Sequence, residues 1–238
     1  MSKRNRKTDQ KVIKKRISAG RGQGRGNEYK PWLHIQDVPS SGLVHRVKGW
    51  KTGRVHHFLS TLEVNYFYVL EWSQLVTDIR EQFPLLPLEE TLVIADQCGV
   101  RHPTDPRTQE PVVMTTDFVI TITKNDEPIE QARSVKPSDK LQSKRVLEKL
   151  EIERRYWQAR NIDWGLVTER DIPGVLVKNV ELLHSYISLA DRLPLTENDI
   201  GDVSMVLLPQ MGQIPLRQAT SSCDRQLGLE PGSSLTVV

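Results

Sequence analysis

Apolar and polar positions along this chain follow two periods, and each change of period marks an element. After Ser60-Thr61-Leu62-Glu63, a capping-box pattern, Leu62, Tyr66 and Val69 recur at helical spacing, which predicts a helix starting near Ser60. Leu75, Thr77, Ile79, Glu81 and Phe83 then mark one face of an extended segment that Pro84 ends, and Leu88 to Cys98 returns to helical spacing closed by Gly99. The β-branched run from Val112 to Thr123 is the clearest strand. Lys124-Asn125-Asp126-Glu127-Pro128 reads as a hairpin loop, and Ile129 to Lys136 as the returning strand, stopped by Pro137. Ser138 or Asp139 is expected to cap a long helix running to about Arg160, with Leu147, Leu150, Tyr156 and Trp157 as its apolar stripe. Ile162 to Thr168 predicts a short strand, and Glu169 to Leu193 more helix, broken at Pro173-Gly174.

A helix, a strand hairpin, a helix and a further strand predict an α/β domain, which we place over 31–193 with an irregular lead-in from Trp32 to about Trp50. A second unit is expected over 194–238. There Ile214 to Leu227 reads as a helix, Gly228 to Gly232 as a tight turn and Ser233-Ser234 as a cap, the outline of a helix-turn-helix. Val238 falls only about a turn into the last helix, so this second domain is expected to be shortened.

Charge changes the picture at one end only. Residues 1–30 hold eleven Lys and Arg against Asp9 and Glu28, a local +9, so the remaining 208 residues carry −6 of the overall +3. A leader of this composition, ending in Gly20-Arg21-Gly22-Gln23-Gly24-Arg25-Gly26, cannot bury enough apolar surface to fold alone. It is expected to be disordered over 1–30 and suited to the phosphate backbone of nucleic acid. No apolar run approaches a membrane span and the basic start lacks a secretory stretch, which predicts a cytoplasmic protein without a membrane partner. Cys98 and Cys223 stand alone, and the six histidines lack the spacing of a helical metal pair, so any metal is expected to be hard and oxygen-bound.

The candidate chemistry lies in Glu63, Asp117 and Lys136. Two carboxylates and an ammonium brought to one end of a sheet are the layout of a magnesium-dependent nuclease. Mg2+ keeps most of its waters and needs only one or two protein carboxylates, so Glu63 and Asp117 suffice as ligands if the Val135 carbonyl and a DNA phosphate fill other positions. Lys136 would orient the attacking water and offset developing charge. Asp is depleted in strand interiors, so Asp117 within a β-branched run either points to water or has a task. With the turn at 124–128, Asp117 and Lys136 fall at the same far end of the hairpin. Glu63 has its own plain reading as the capping-box acid, which does not exclude a metal.

Ser60-Thr61-Leu62-Glu63, Ile79-Arg80-Glu81-Gln82-Phe83-Pro84-Leu85, His102-Pro103, Met114-Thr115-Thr116-Asp117-Phe118, Ser134-Val135-Lys136-Pro137, Glu153-Arg154-Arg155-Tyr156-Trp157 and Val167-Thr168-Glu169 together resemble the TnsA family of transposase endonuclease subunits. The resemblance implies a restriction-endonuclease-like mixed sheet flanked by helices, followed by a small winged-helix-like domain. It implies catalysis by Glu63, Asp117 and Lys136. It further implies cleavage of the 5′ strands of transposon-end DNA, beside a strand-transfer transposase subunit and an ATPase regulator of transposition that the second domain meets. Ser134 departs from the pattern, because such nucleases usually carry Glu or Gln two positions before the lysine; it acts through a water or not at all. The alternatives are a non-catalytic helix-turn-helix DNA-binding regulator and a structural nucleic-acid protein that binds through its leader.

Overall fold

The computed structural model describes residues 8–38, 43–184 and 196–237. In chain order they form α1 (Gln10–Ser18), β1 (His45–Lys48), β2 (Val55–Phe58), α2 (Thr61–Trp72), β3 (Val76–Pro84), α3 (Leu88–Gln97), β4 (Thr115–Lys124), β5 (Glu127–Val135), α4 (Lys144–Gln158), β6 (Asp163–Val167), α5 (Gly174–His184), α6 (Glu197–Leu207) and α7 (Leu216–Leu227). None of the described helices is long and apolar enough to cross a membrane. The chain divides into two compact units, 1–181 and 182–238, a division inside α5 rather than at the expected 193/194.

The first unit is built on a four-stranded mixed sheet in the order β3-β4-β5-β6, with β5 and β6 parallel and the other pairs antiparallel. The β4–β5 hairpin closes more tightly than expected. Lys124 pairs with Glu127, and Asn125 and Asp126 form a two-residue turn at φ 52° and 63°, the left-handed region these side chains tolerate. Alternation sends Phe118 and Ile120 into one core with Phe67 of α2 and Val180 of α5, and Val119 and Ala132 into another with Ile94 of α3 and Ile152 of α4. Helices therefore cover both faces, the mixed α/β architecture expected.

Three expectations about the first unit need correction. The segment up to residue 30 is not disordered from Thr8 onward. Ile13 of α1 packs with Trp32, Leu88 and Val113, and Gly26 N–H donates to Asp78 Oδ1 (3.1 Å) while Arg25 pairs with Glu130 (2.6 Å). Partners supplied by the domain replace the core that the leader's own composition lacks. Residues 1–7 lie outside the described residues. Second, β3 is buried at positions of both parities rather than along the one face marked by Leu75 to Phe83, including Arg80, Glu81 and Gln82, because the leader and the β1–β2 hairpin cover it. Third, the long helix after Pro137 begins as a separate 3-10 turn over Ser138–Gln142, and α4 starts only after Ser143. Ser138 donates its N–H and hydroxyl to Glu169 instead of capping α4.

In the second unit, α6 was not anticipated as a helix. Thr196 and Asp199 form a full capping box at its start, and Val203 and Leu207 pack on Ala219 and Cys223 of α7. Gly228, at φ 66°, ends α7 as the expected turn requires, but α7 begins after Pro215 rather than at Ile214. The segment after Ser233 is a 3-10 turn, Ser234–Thr236, fixed by Asp224, which accepts from Gly232 N–H and Ser234 N–H. Among the described residues this unit holds no strand, only an isolated bridge between Met211 and Ile214, and a three-residue 3-10 turn stands where a further helix was expected after the Gly228 turn.

Candidate active site

Asp117 sits at the start of β4, where its ladder with β5 stops at the pair Phe118 and Arg133. Beyond that pair the Asp117 carboxylate takes over the bonding. Its Oδ2 accepts from Val135 N–H (2.7 Å) and from Lys136 Nζ (2.6 Å), so one oxygen binds both residues beyond the end of the ladder. Lys136 Nζ also donates to the Val135 carbonyl (3.0 Å), while Lys136 N–H donates to Val167 of β6 (2.9 Å). Asp117 is buried, and the Lys136 side chain retains 34% exposure toward solvent. Burial would lower the proton affinity of Lys136, but the adjacent Asp117 outweighs it, with Glu153 and Glu63 adding to the effect, so the ammonium is held protonated above its ordinary range.

Glu63 enters from the first turn of α2. Ser60 caps the helix as expected, its Oγ accepting from Glu63 N–H (3.2 Å). The carboxylate does not return to the cap amide. It reaches one residue further back to Leu59 N–H (3.0 Å on Oε2), accepts from the Ser60 hydroxyl (2.9 Å on Oε1), and accepts from Gln82 Nε2 (3.2 Å on Oε2). Burial first, and then the charge of Asp117, push its pKa up to about 7; the Leu59 amide, Lys136 and Ser60 offset only part of this. The three expected residues are therefore brought into one electrostatic cluster, with Asp117 and Lys136 in direct contact. Val135 contributes its amide to Asp117, and its carbonyl, the expected metal ligand, faces the Lys136 ammonium.

Sequence reasoning gave no role to two residues in this cluster. Glu153 of α4 is buried beneath Ser134, and its Oε1 accepts from the Ser134 hydroxyl (2.6 Å) and from Trp164 Nε1 (3.1 Å). Burial and Asp117 raise its pKa to about 6 against the lowering pull of Ser134, Lys136 and Trp164. The signal was present: Glu153 lies on the buried stripe of α4 with Leu150, Tyr156 and Trp157, where a carboxylate needs partners. Gln82 of β3 is the second, and nothing in a single sequence marks its left-handed backbone (φ 49°).

The cluster thus places three buried carboxylates around one ammonium. Among the described residues no three His, Cys, Asp or Glu side chains form a ready-made metal cage. The set instead suits a hard ion that keeps much of its water.

Residues 73–169 match the family described as TnsA-like endonuclease N terminal, and residues 171–238 match the TnsA endonuclease C terminal family. The first match contains Gln82, Asp117, Ser134, Val135, Lys136 and Glu153. The chain is also 50% identical over 186 residues to the Transposon Tn7 transposition protein TnsA of Escherichia coli, a stretch covering 78% of this chain and 66% of that protein. With the N-terminal and C-terminal TnsA models matching in order over 73–238, the chain belongs to the TnsA endonuclease family.

Proposed function

We propose that this protein is a magnesium-dependent DNA endonuclease that hydrolyses the 5′ strands at transposon ends, working with a strand-transfer transposase and an ATPase regulator of transposition. The observation that carries the reading is the contact of Asp117 with both Lys136 and the Val135 amide, beside a buried Glu63. Family membership and the name of the Escherichia coli relative as a transposition protein support it.

The donor set fits a divalent cation. Glu63, Asp117 and Glu153 are buried carboxylates that share the single Lys136 ammonium, and a hard cation would offset the remaining negative charge. Glu63 and Asp117 would hold it, with the Val135 carbonyl as a further oxygen. Bound there, magnesium would supply an acidified water and would neutralise charge on the phosphoryl and leaving oxygens. Asp117 fixes the position of Lys136. The protonated Lys136 amine, turning from the Val135 carbonyl, orients the attacking water and offsets charge as the bond to phosphorus forms. Glu153 holds Ser134 and adds to the negative field that keeps Lys136 charged. Exposed Lys11, Lys14 and Lys15 of α1 suit the DNA backbone. The second unit is read as a helical module whose exposed Arg217 and Arg225 serve docking to the regulator or to DNA.

The test is a nicking assay on transposon-end DNA with Mg2+ and the partner transposase present. Asp117→Ala and Lys136→Ala are expected to abolish 5′-strand cleavage while DNA binding persists. Cleavage at the parent rate by both variants would reject the assignment.

A further inference from the structure

Gln82 is almost fully buried, at 1% exposure, in a backbone conformation that a glutamine rarely adopts. The β3–β4 register runs from Glu81 opposite Phe118 to Phe83 opposite Thr116, which sets Gln82 facing Asp117 across the two strands. At that point φ is 49°, and the Gln82 carbonyl accepts from Trp32 N–H (3.1 Å), outside the sheet. Trp32 is itself buried, and its own carbonyl accepts from Arg21 Nη1 (2.9 Å), which also pairs with Asp37 (2.5 Å). The folded leader therefore braces a left-handed residue in the middle of the candidate site.

The side chain shows what the brace achieves. Gln82 Oε1 accepts from the Thr115 hydroxyl (3.4 Å), which orients the amide so that Nε2 donates to Glu63 Oε2 (3.2 Å). A carboxylate has about four lone-pair sites. Both sites on Glu63 Oε2 are taken, by Leu59 N–H and Gln82 Nε2, whereas among the described residues Oε1 accepts only the Ser60 hydroxyl. We propose that Gln82 is a positioning residue for Glu63: its amide occupies Oε2, so that Glu63 presents Oε1 to a divalent cation, and the leader segment holds Gln82 in the conformation this needs. The inference rests on the reading of Glu63 as a metal ligand.

The test uses the full chain titrated with Mn2+, with free Mn2+ followed by its electron paramagnetic resonance signal and the melting temperature recorded for each variant. Glu63→Gln is expected to abolish tight binding. Gln82→Met, which keeps the volume and removes the donor, is expected to weaken binding about ten- to hundredfold, the usual effect of removing a residue that supports a metal ligand. Gln82→Gly, which suits the positive φ and also lacks the donor, is expected to weaken it equally, and it carries the test if Gln82→Met does not fold. Parent-like affinity in a folded Gln82→Met or in Gln82→Gly, with Glu63→Gln still defective, would overturn this inference alone. A parent chain that fails to bind Mn2+ at millimolar concentration, or a Glu63→Gln variant that binds like the parent, would overturn the metal-site reading and the inference with it.

Discussion

The Ser134 hydroxyl donates to the Glu153 carboxylate across 2.6 Å, with both side chains almost wholly buried. A serine two positions before the lysine offers only a short neutral hydroxyl, and this bond sets a carboxylate from α4 beside it. Glu153→Gln preserves an acceptor for Ser134 and Trp164, so it is expected to fold normally while nicking of transposon-end DNA falls about tenfold or more. Glu153→Ala leaves the buried Ser134 hydroxyl and the half-buried Trp164 N–H without this acceptor and is expected to lose about 1–3 kcal/mol of stability as well. Parent-level nicking by Glu153→Gln would restrict Glu153 to holding Ser134 and Trp164 in place.

Glu81 accepts from the Arg54 guanidinium, the His56 ring and the His57 amide. It is fully buried; burial alone would raise its pKa, but His56 at 2.8 Å and the two-pronged contact of Arg54 hold it far below the carboxylate range. A depressed folded pKa means that the unfolded chain binds the proton more readily. The stability from this group is therefore fully present above the unfolded value, about pH 4.5, and is lost as pH falls toward the folded one. Glu81→Gln is expected to cost about 3–5 kcal/mol at pH 7, because Arg54 is left buried without its counter-charge. Denaturant melts from pH 7 to pH 3 should show the gap between variant and parent narrowing with acid. A gap independent of pH would mean that the carboxylate's charge is not what stabilises this cluster.

Local rules made the β4–β5 hairpin and the Ser60 cap legible in the sequence. Turn residues, β-branching and cap spacing act within a few residues, and the placing of Asp117 and Lys136 at one end of the sheet follows from them. Glu153 and Gln82 were not assigned because their roles depend on partners far away, Ser134 across a helix–sheet contact and Trp32 in the covering segment. The leader failed as a prediction for the same reason. Composition describes what a segment can bury by itself, whereas Asp78 and Glu130, which fasten Gly26 and Arg25, lie 52 and 105 positions along the chain.

That docking separates two roles which deletion of the leader would confound. Gly22 packs so closely on β3 that a Cβ there would lie 2.3 Å from Pro84 Cγ, at a φ of 80° that other residues avoid. Gly22→Ala is expected to undock the segment, exposing Arg21 and Arg25 to trypsin and lowering nicking through Trp32 and Gln82. Lys11, Lys14 and Lys15 project from α1 into solvent, so changing all three to Glu should leave trypsin resistance and melting temperature near the parent's. The triple variant should instead weaken DNA binding and reduce the slope of log affinity against log salt by about 0.9 for each phosphate that is no longer neutralised. An unchanged slope would remove α1 from the DNA interface and leave the leader as a purely structural brace.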